Sequence, residues 1–262
     1  MWEIASFNRL PVLIEKNFLE TFGAEVIFTL KSAGDMSDAC GEIHHGIVPP
    51  PDENPGIKNF APIAICRQIH GNHVIKVNAL PGTEKTVGGG EEGETEANFI
   101  FMAGEGDGLI TDEKYVALGI RTADCAPVFL FSEIEKKIAA IHVGRRGALA
   151  GIIEKTISGF FKNPTEIRAA VGPHIKKCCY NFSDKNAPTD TSILKFGRFY
   201  SDSKIDLTGY IKDRLISSGV GDENISIAPY CTSCGGSEKF FSHRRSKGKE
   251  KSRHLALIRM KK

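Results

Sequence analysis

The sequence has little of what marks specialised classes of protein. Its 34 Lys and Arg against 32 Asp and Glu give a formal charge of only +2, which provides no field for general nucleic-acid binding. No apolar run approaches the length of a membrane-spanning helix, about 20 residues. No secretory leader, with a basic segment followed by an apolar one, is expected after Met1. With 41% hydrophobic and 25% charged residues, the composition is that of an ordinary globular protein. Function therefore has to be sought in sites.

Pairing of all the cysteines is excluded as well, because their number, seven, is odd. Together with the missing leader, this predicts a cytoplasmic protein with reduced thiols and no membrane partner. A cysteine can then serve as a metal ligand or a nucleophile. We predict a single domain over residues 1–262, with 1–55 as its less defined N-terminal part, because that part is too short and too sparsely apolar to form its own core.

Strand patterns outnumber helix patterns along the chain. The apolar residues 152, 153, 157, 160 and 161 keep a 3.6-residue period that predicts a helix, and a second helix is expected over 207–217. Because strands and helices do not alternate strictly, we predict an α+β fold, a mixed β-sheet with packed helices. A proline-rich connector at 47–55 and a solvated Gly/Glu-rich loop at 88–94 are predicted to be irregular. Strands are predicted at 12–14, 24–29, 61–66, 115–121, 128–131, 138–141, 167–171, 225–228 and 255–258.

His70, Cys125 and His142 follow or end three different strands and form a candidate metal site. Imidazole nitrogen and thiolate sulfur are ligands that zinc prefers, and catalytic zinc takes three protein ligands and keeps a fourth position open. A glycine close to each histidine, Gly71 and Gly144, and Asp124 beside the cysteine fit this interpretation, because a nearby carboxylate orients ligands and supports proton transfer. The alternative is that each of the three is a packed or capping residue with no metal.

The segment HVGRRG at 142–147 is a candidate anion site. A strand that ends in a Gly-X-X-Gly turn and opens a helix points backbone N–H groups outward, and Arg145 and Arg146 add positive charge. The segment is no nucleotide P-loop, because it lacks the Gly-Lys-Ser/Thr ending. Phosphate or a carboxylate is the expected ligand, and pairing of these arginines with nearby acids is the alternative.

Four further cysteines form a second candidate site: Cys178, Cys179, Cys231 and Cys234. The last two make a C-x-x-C, which with the adjacent pair would give a structural zinc site or a redox pair. Buried or free thiols are the alternative, because adjacent cysteines rarely bind one metal together. His174, at helical spacing from Cys178, is an additional candidate ligand.

The stretch 239–262 carries ten Lys or Arg and one acid, which taken alone would indicate contact with RNA or DNA. Aromatic residues are not interleaved through it as stacking platforms would be, so nucleic acid is not the expected partner. We interpret Arg244 and Arg245 as binding residues for an anionic substrate and the three lysines that follow as a solvated loop.

Seven short segments between roughly residue 60 and the C-terminus form a series: RQIHG at 67–71, GDGLIT at 106–111, TADCAP at 122–127, HVGRRG at 142–147, VGPHI at 171–175, YCT at 230–232 and FFSHRR at 240–245. In this order they resemble the successive motifs of the YfiH or laccase-domain family. Three positions depart from the family pattern: Arg145 stands where Trp is usual, Lys31 where Arg is common, and KSR at 251–253 where TGR is usual. The first departure replaces an aromatic face that could stack on a base with a cation.

The resemblance implies a single-domain cytoplasmic enzyme of mixed α/β fold that binds one metal, zinc or alternatively copper, through His70, Cys125 and His142. Members are described as enzymes that phosphorolyse adenosine, inosine and methylthioadenosine and deaminate adenosine. Older names call them polyphenol oxidases, and peptidoglycan-precursor editing is attached to some. The expected partners are therefore a purine nucleoside and phosphate. The arginines expected to contact them are Arg67, Arg145, Arg146, Arg244 and Arg245.

The residues themselves discriminate between these activities. A multicopper oxidase needs many histidines, often as His-X-His, whereas this chain has eight histidines and no such pair. Nucleoside chemistry needs less: a metal-activated water could attack C6 of adenosine with Asp124 as proton carrier, and phosphate near Arg146 could attack the ribose C1′. A cysteine hydrolase with Cys125 as its nucleophile is a second hypothesis. An interaction protein that uses its basic tail on nucleic acid or a cell-wall enzyme is a third.

Overall fold

The computed structural model describes residues 1–7, 10–21, 23–37, 62–78, 100–182 and 191–261. The connector at 47–55, the loop at 88–94 and Cys40 lie outside these ranges. The helices are α1 Lys16–Thr21, α2 Arg145–Leu149, α3 Ile152–Phe160 and α4 Leu207–Ser217. The strands are β1 Trp2–Phe7, β2 Leu10–Glu15, β3 Ala24–Thr29, β4 Ile63–Arg67, β5 Val74–Lys76, β6 Ile100–Glu105, β7 Gly108–Thr111, β8 Ala117–Thr122, β9 Ala126–Ser132, β10 Lys137–Val143, β11 Ile167–Val171, β12 Tyr200–Ser201, β13 Lys204–Ile205, β14 Ile225–Ile227 and β15 His254–Met260.

The strands form two large sheets and a short hairpin. A seven-stranded sheet has the order β1-β2-β3-β15-β8-β4-β6, and a six-stranded sheet has the order β14-β11-β9-β10-β7-β5. Both are mixed. In the seven-stranded sheet β4 is parallel to β6 and β8 and β15 is antiparallel to β3 and β8; in the six-stranded sheet β5 is parallel to β7 and β10 is antiparallel to β9. The predicted α+β class with mixed sheet and packed helices is confirmed, although the strands divide between two large sheets where one was expected.

Apolar side chains from both large sheets explain this division. One buried cluster joins Phe28 and Leu118 of the seven-stranded sheet to Phe129 and Ile138 of the six-stranded sheet, so the two sheets pack face to face. The other face of the six-stranded sheet is covered by α3 and α4, which bury Ile153, Leu215 and their neighbours. Alternation along a single strand identifies a buried face but not the sheet to which the strand belongs.

The N-terminal strands β1 to β3 belong to the seven-stranded sheet, where β15 joins them to β8. The extent of the domain over the whole chain stays a prediction. No helix in the described ranges is long and apolar enough to cross a membrane.

Candidate functional site

The loop that carries His70 is wound around a buried carboxylate. Asp107, between β6 and β7, is fully buried. It accepts hydrogen bonds from the backbone N–H groups of Ile69 at 3.2 Å, His70 at 2.9 Å and Gly71 at 2.6 Å. Three such bonds hold the loop after β4 in place and allow His70 to adopt a φ of 62°, an uncommon conformation for a residue with a side chain. The position of the His70 imidazole is thus set by Asp107.

The same carboxylate orients His142, which lies near the end of β10. The His142 ring is buried, and its Nδ1 lies 2.8 Å from Oδ1 of Asp107. With Nδ1 bonded in this way, Nε2 is the nitrogen left for a ligand. The ring meets that of His70 edge to face, with 4.8 Å between centroids. One buried acid therefore positions both histidines.

Cys125 lies in the short loop between β8 and β9. The neighbouring residue, Asp124, has a φ of 99° and accepts three hydrogen bonds. The carbonyl of Asp124 accepts one from the backbone N–H of Ile175 at 2.9 Å. The carboxylate of Asp124 accepts one from the hydroxyl of Thr232 at 2.7 Å and one from the backbone N–H of Arg244 at 2.6 Å. The carboxylate of Asp124 thereby ties the loop of Cys125 to the segments around residues 232 and 244.

The structure brings His70, Cys125 and His142 together, with one ligand atom of each within 4.8 Å of the others. Gly144 makes the approach possible, because a Cβ at this position would lie 2.9 Å from the sulfur of Cys125 and 3.3 Å from Cδ2 of His70. A Cβ on Gly147 would lie 2.8 Å from the carbonyl oxygen of Gly71. These glycines therefore have a steric role in the site.

The charges of the cluster are coupled. Burial disfavours the thiolate of Cys125, but the adjacent His142 and His70 outweigh it and lower the pKa of the thiol to about 6. Burial likewise favours neutral His142, but Cys125 and Asp107 raise its pKa to about 9. In the metal-free protein, ionisation of the Cys125 thiol and protonation of the His142 imidazole therefore favour each other.

This donor set fits a metal ion. Two imidazoles and one thiolate are ligands of both zinc and copper, and the carboxylate behind His142 is the kind of group that orients a metal-bound histidine. The three residues differ in depth, because His142 is buried, Cys125 is half-buried and His70 is exposed. A metal held here would have one open side, toward solvent.

That open side faces a cavity of about 440 Å³, within the size range of small-molecule sites. Its lining includes three arginines, Arg121, Arg244 and Arg253, together with His243. Tyr180, Ile175 and Leu207 form its less polar wall. The Nε atom of Arg121 is buried and has no hydrogen-bond partner among the described residues. The cavity thus combines an apolar wall with a surplus of positive charge.

The predicted substrate arginines occupy different positions. Arg244 lines the cavity, and its guanidinium lies 5.2 Å from the ring centroid of Tyr180 and 5.1 Å from that of Phe182. Arg245 instead donates to backbone carbonyls, among them that of Thr232 at 2.9 Å.

The other three arginines also lie outside the described lining of the cavity. Arg67 pairs with Glu105, Arg145 donates to the hydroxyl of Ser192 at 2.8 Å, and Arg146 is exposed. Only Arg244 of the predicted set is therefore brought to the cavity.

Several residues of the site were missed by sequence reasoning. Asp107 stands in the quoted GDGLIT segment, and an acid between two apolar strands was a signal that it is buried with partners. Arg121 precedes TADCAP, and Arg253 ends the KSR segment. Tyr180 also lines the cavity, so an aromatic residue is present there although Arg145 stands where the family usually has Trp.

The second predicted cluster also assembles. The sulfur atoms of Cys178, Cys179, Cys231 and Cys234 all lie within 4.8 Å of one another. His174 stands apart, because its Nδ1 donates to the carbonyl of Gly172 and its Nε2 accepts from the hydroxyl of Thr208, both at 2.8 Å. Burial lowers its pKa to about 3. His174 is thus a neutral structural histidine with both nitrogens engaged.

Comparisons with known proteins agree with one another. The sequence model of a family described as multi-copper polyphenol oxidoreductase laccase matches residues 54–261. A purine nucleoside phosphorylase of Clostridium acetobutylicum is 36% identical over 160 residues, which are 59% of this chain and 66% of that protein. The purine nucleoside phosphorylase YlmD of Geobacillus stearothermophilus is 27% identical over 258 residues, 90% of each chain. The crystal structure of the hypothetical protein YfiH of Bacillus licheniformis has the same fold, with a TM-score of 0.67 at 22% identity over 95% of this chain and 96% of that one.

Proposed function

The chain belongs to the family described as multi-copper polyphenol oxidoreductase laccase, which is the YfiH or laccase-domain family, and from this premise we propose that it is a purine nucleoside phosphorylase. The finer proposal is phosphorolysis of adenosine, inosine and methylthioadenosine, with deamination of adenosine as a side activity. One observation carries it: His70, Cys125 and His142 converge on a cavity whose lining includes three arginines.

The substrate would lie between the metal ligands and the arginines. In phosphorolysis the C1′–N9 bond of the nucleoside breaks, a phosphate oxygen bonds to C1′, and the purine leaves with the proton that hydrogen phosphate gives up. Arg121, with its unpartnered Nε, and Arg244 are suited to hold the phosphate. Tyr180 would place an aromatic ring beside the purine, and burial raises the pKa of its phenol, so the phenol stays neutral.

His70, Cys125 and His142 would hold the metal at the other end of the cavity. A divalent ion bound there would supply Lewis-acid chemistry. Asp124 remains the candidate proton carrier. Its carboxylate also accepts a hydrogen bond from the backbone N–H of Arg244 and so positions that arginine. His243 is exposed and also lines the cavity, and it is a further group that can exchange a proton with the departing purine.

An oxidase reaction with several coppers is not favoured. Within the ranges that the structure describes, groups of three or more potential metal ligands number two, and only one of them contains histidine. A cluster of three coppers fed by many histidines therefore has no counterpart in those ranges.

The direct test is a product assay. Full-length protein loaded with zinc, and separately with copper, is incubated with adenosine, inosine or methylthioadenosine, with and without phosphate. We expect phosphate-dependent release of free base and ribose 1-phosphate, or its methylthio analogue, and slower conversion of adenosine to inosine that needs no phosphate. If metal-loaded protein releases neither free base nor sugar phosphate from any of them, the proposal is wrong.

One observation favours a second candidate function, a hydrolase with Cys125 as nucleophile. The thiol with lowered pKa, His142 and Asp107 follow one another in the order of a nucleophile, a base and an orienting acid. Metal content separates the two candidates. Activity that survives chelation and is abolished by alkylation of Cys125 supports the hydrolase, whereas activity that is lost on chelation and restored by zinc supports the phosphorylase.

A further inference from the structure

The four-cysteine cluster is made by two turns that lie side by side. Cys178 and Cys179 belong to the turn at 177–179, and Cys231 and Cys234 belong to the turn at 231–234. A backbone bridge joins His174 to Cys231, and the N–H of Thr232 donates to the carbonyl of His174 at 3.1 Å. Sulfur atoms from distant parts of the chain are thus brought together by the fold.

The sulfur separations suit a shared metal better than a disulfide. Every pair lies within 4.8 Å, and the sulfurs of Cys178 and Cys234 are 3.6 Å apart. A disulfide needs about 2.05 Å. Four thiolates around a tetrahedral zinc, each at about 2.3 Å from the ion, would be about 3.8 Å apart. All four cysteines are unpaired, and small movements would bring them to that geometry.

One of the sulfurs already accepts a backbone hydrogen bond. The N–H of Lys176 donates to Sγ of Cys231 at 3.4 Å. Such donors stabilise a thiolate whether it is free or bound to a metal. A side chain on Gly235 would overlap the carbonyl oxygen of Cys231, so the C-x-x-C turn depends on the glycine that follows it.

We propose that Cys178, Cys179, Cys231 and Cys234 hold a zinc ion as a four-thiolate structural site, separate from His70, Cys125 and His142. Binding converts four thiols to thiolates and releases their protons to solvent. With all four ligands supplied by the chain, the ion has no open position for a substrate, which is the arrangement of structural zinc.

The two turns that such an ion would fasten both adjoin residues that line the cavity. Ile175 and Tyr180, on either side of the first turn, line the cavity. Thr232, in the second turn, donates to the carboxylate of Asp124 at 2.7 Å. Zinc at the four thiolates would therefore fix one wall of the cavity without touching the substrate.

The test is a count of metal ions in matched variants of the full chain. Protein is produced with added zinc, purified under reducing conditions without chelators, and measured by inductively coupled plasma mass spectrometry. We expect two zinc ions per chain in the parent, one in Cys125→Ser and one in the double variant Cys178→Ser, Cys234→Ser. A parent chain with a single zinc that is lost completely in Cys125→Ser would overturn the proposal.

A second measurement does not depend on the double variant being folded. Cys125→Ser protein is stripped of metal, reduced and titrated with cobalt(II), whose complexes with four thiolates show intense sulfur-to-cobalt charge-transfer absorption. We expect this absorption to saturate at one cobalt per chain and to be displaced by zinc. Failure of the absorption to develop counts against the site, as does a disulfide between Cys178 and Cys234 in freshly isolated protein, seen as a mass lower by two hydrogen atoms.

Discussion

The two thiol clusters of this protein differ in depth and in the groups around their sulfur atoms. Cys125 shares its site with two histidines, one of them buried against Asp107, at the end of a cavity. The other cluster is built of sulfur alone, and its Cys178 and Cys234 are exposed. A thiol beside imidazoles and an open cavity is arranged for chemistry, whereas a closed set of four thiols is arranged to fasten two turns.

If chemistry belongs to the cavity cluster, Cys125→Ser should have the largest effect on activity. The variant loses the thiolate ligand and its charge, and we expect kcat/KM for phosphorolysis to fall by at least about 100-fold. Cys66→Ala, which truncates a buried thiol of β4, is the matched control and should stay within about threefold. If the measured rates fall equally in both variants, the loss does not come from the ligand role of Cys125, and the assignment of chemistry to the cavity cluster is wrong.

Asp107→Asn tests whether the acid that orients His142 supports metal binding by His70, Cys125 and His142. The amide keeps the shape but loses the charge that holds Nδ1 of His142, so we expect zinc affinity at the cavity site to fall by about 10- to 100-fold. Competition with a chelator, carried out in protein whose four-cysteine cluster has been removed, measures this. Asp112→Asn, which only loses a surface contact of 3.4 Å with Lys76, should leave the affinity unchanged, and an equal loss there would point to a general effect of charge.

Arg244→Gln examines the opposite end of the cavity. Loss of a charged hydrogen bond of about 1.5 kcal/mol corresponds to roughly a tenfold rise in KM for phosphate, with a smaller change in the KM for the nucleoside. Arg198→Gln is the control, since Arg198 pairs with Asp213 away from the cavity. Steady-state kinetics with phosphate varied would show the effect, and an unchanged KM in Arg244→Gln would remove this residue from the phosphate site.

The smallest expected effect is a difference in alkylation rate between Cys125 and the pair Cys178 and Cys234 in metal-stripped protein. The pKa of Cys125 is lowered to about 6, so its thiolate is half-formed near pH 6 and nearly complete at pH 7. The pKa values of Cys178 and Cys234 are raised by burial and by neighbouring thiols, so their reaction should still be rising above pH 9. Because a thiolate of lower pKa is also a weaker nucleophile, we expect Cys125 to react only several-fold faster at pH 7. Peptide mass spectrometry after iodoacetamide treatment resolves the three sites, and parallel pH profiles would contradict the coupling of Cys125 to His142.

The sequence predicted the convergence of His70, Cys125 and His142, because each stands where an apolar segment gives way to a polar one. It also predicted α3 and α4, whose apolar residues keep a helical period. Asp107 escaped notice because its importance comes from three N–H groups and one imidazole that only the folded loops bring to it.

The arginines also show what a local sequence pattern cannot predict. Arg145 and Arg146 follow a strand in a pattern typical of an anion site, yet α2, which they open, directs them to Ser192 and to solvent. Arg121 and Arg253 lie in unremarkable local sequence and reach the cavity because β8 and β15 pair side by side. That pairing joins residues more than a hundred positions apart, which no local pattern reports.

The place of β15 has a consequence for the order in which the chain can fold during synthesis. It pairs with β3 on one side and β8 on the other, so strands β1 to β3 cannot join the rest of their sheet until residues 254–260 have been synthesised. Until then β3 and β8 each present an open edge, which is the kind of surface on which partly made chains associate. We expect a chain truncated before His254 to be cut readily by protease within β3 or β8, and the chain that includes residues 254–260 to resist cutting there, because only then can β15 close the seven-stranded sheet.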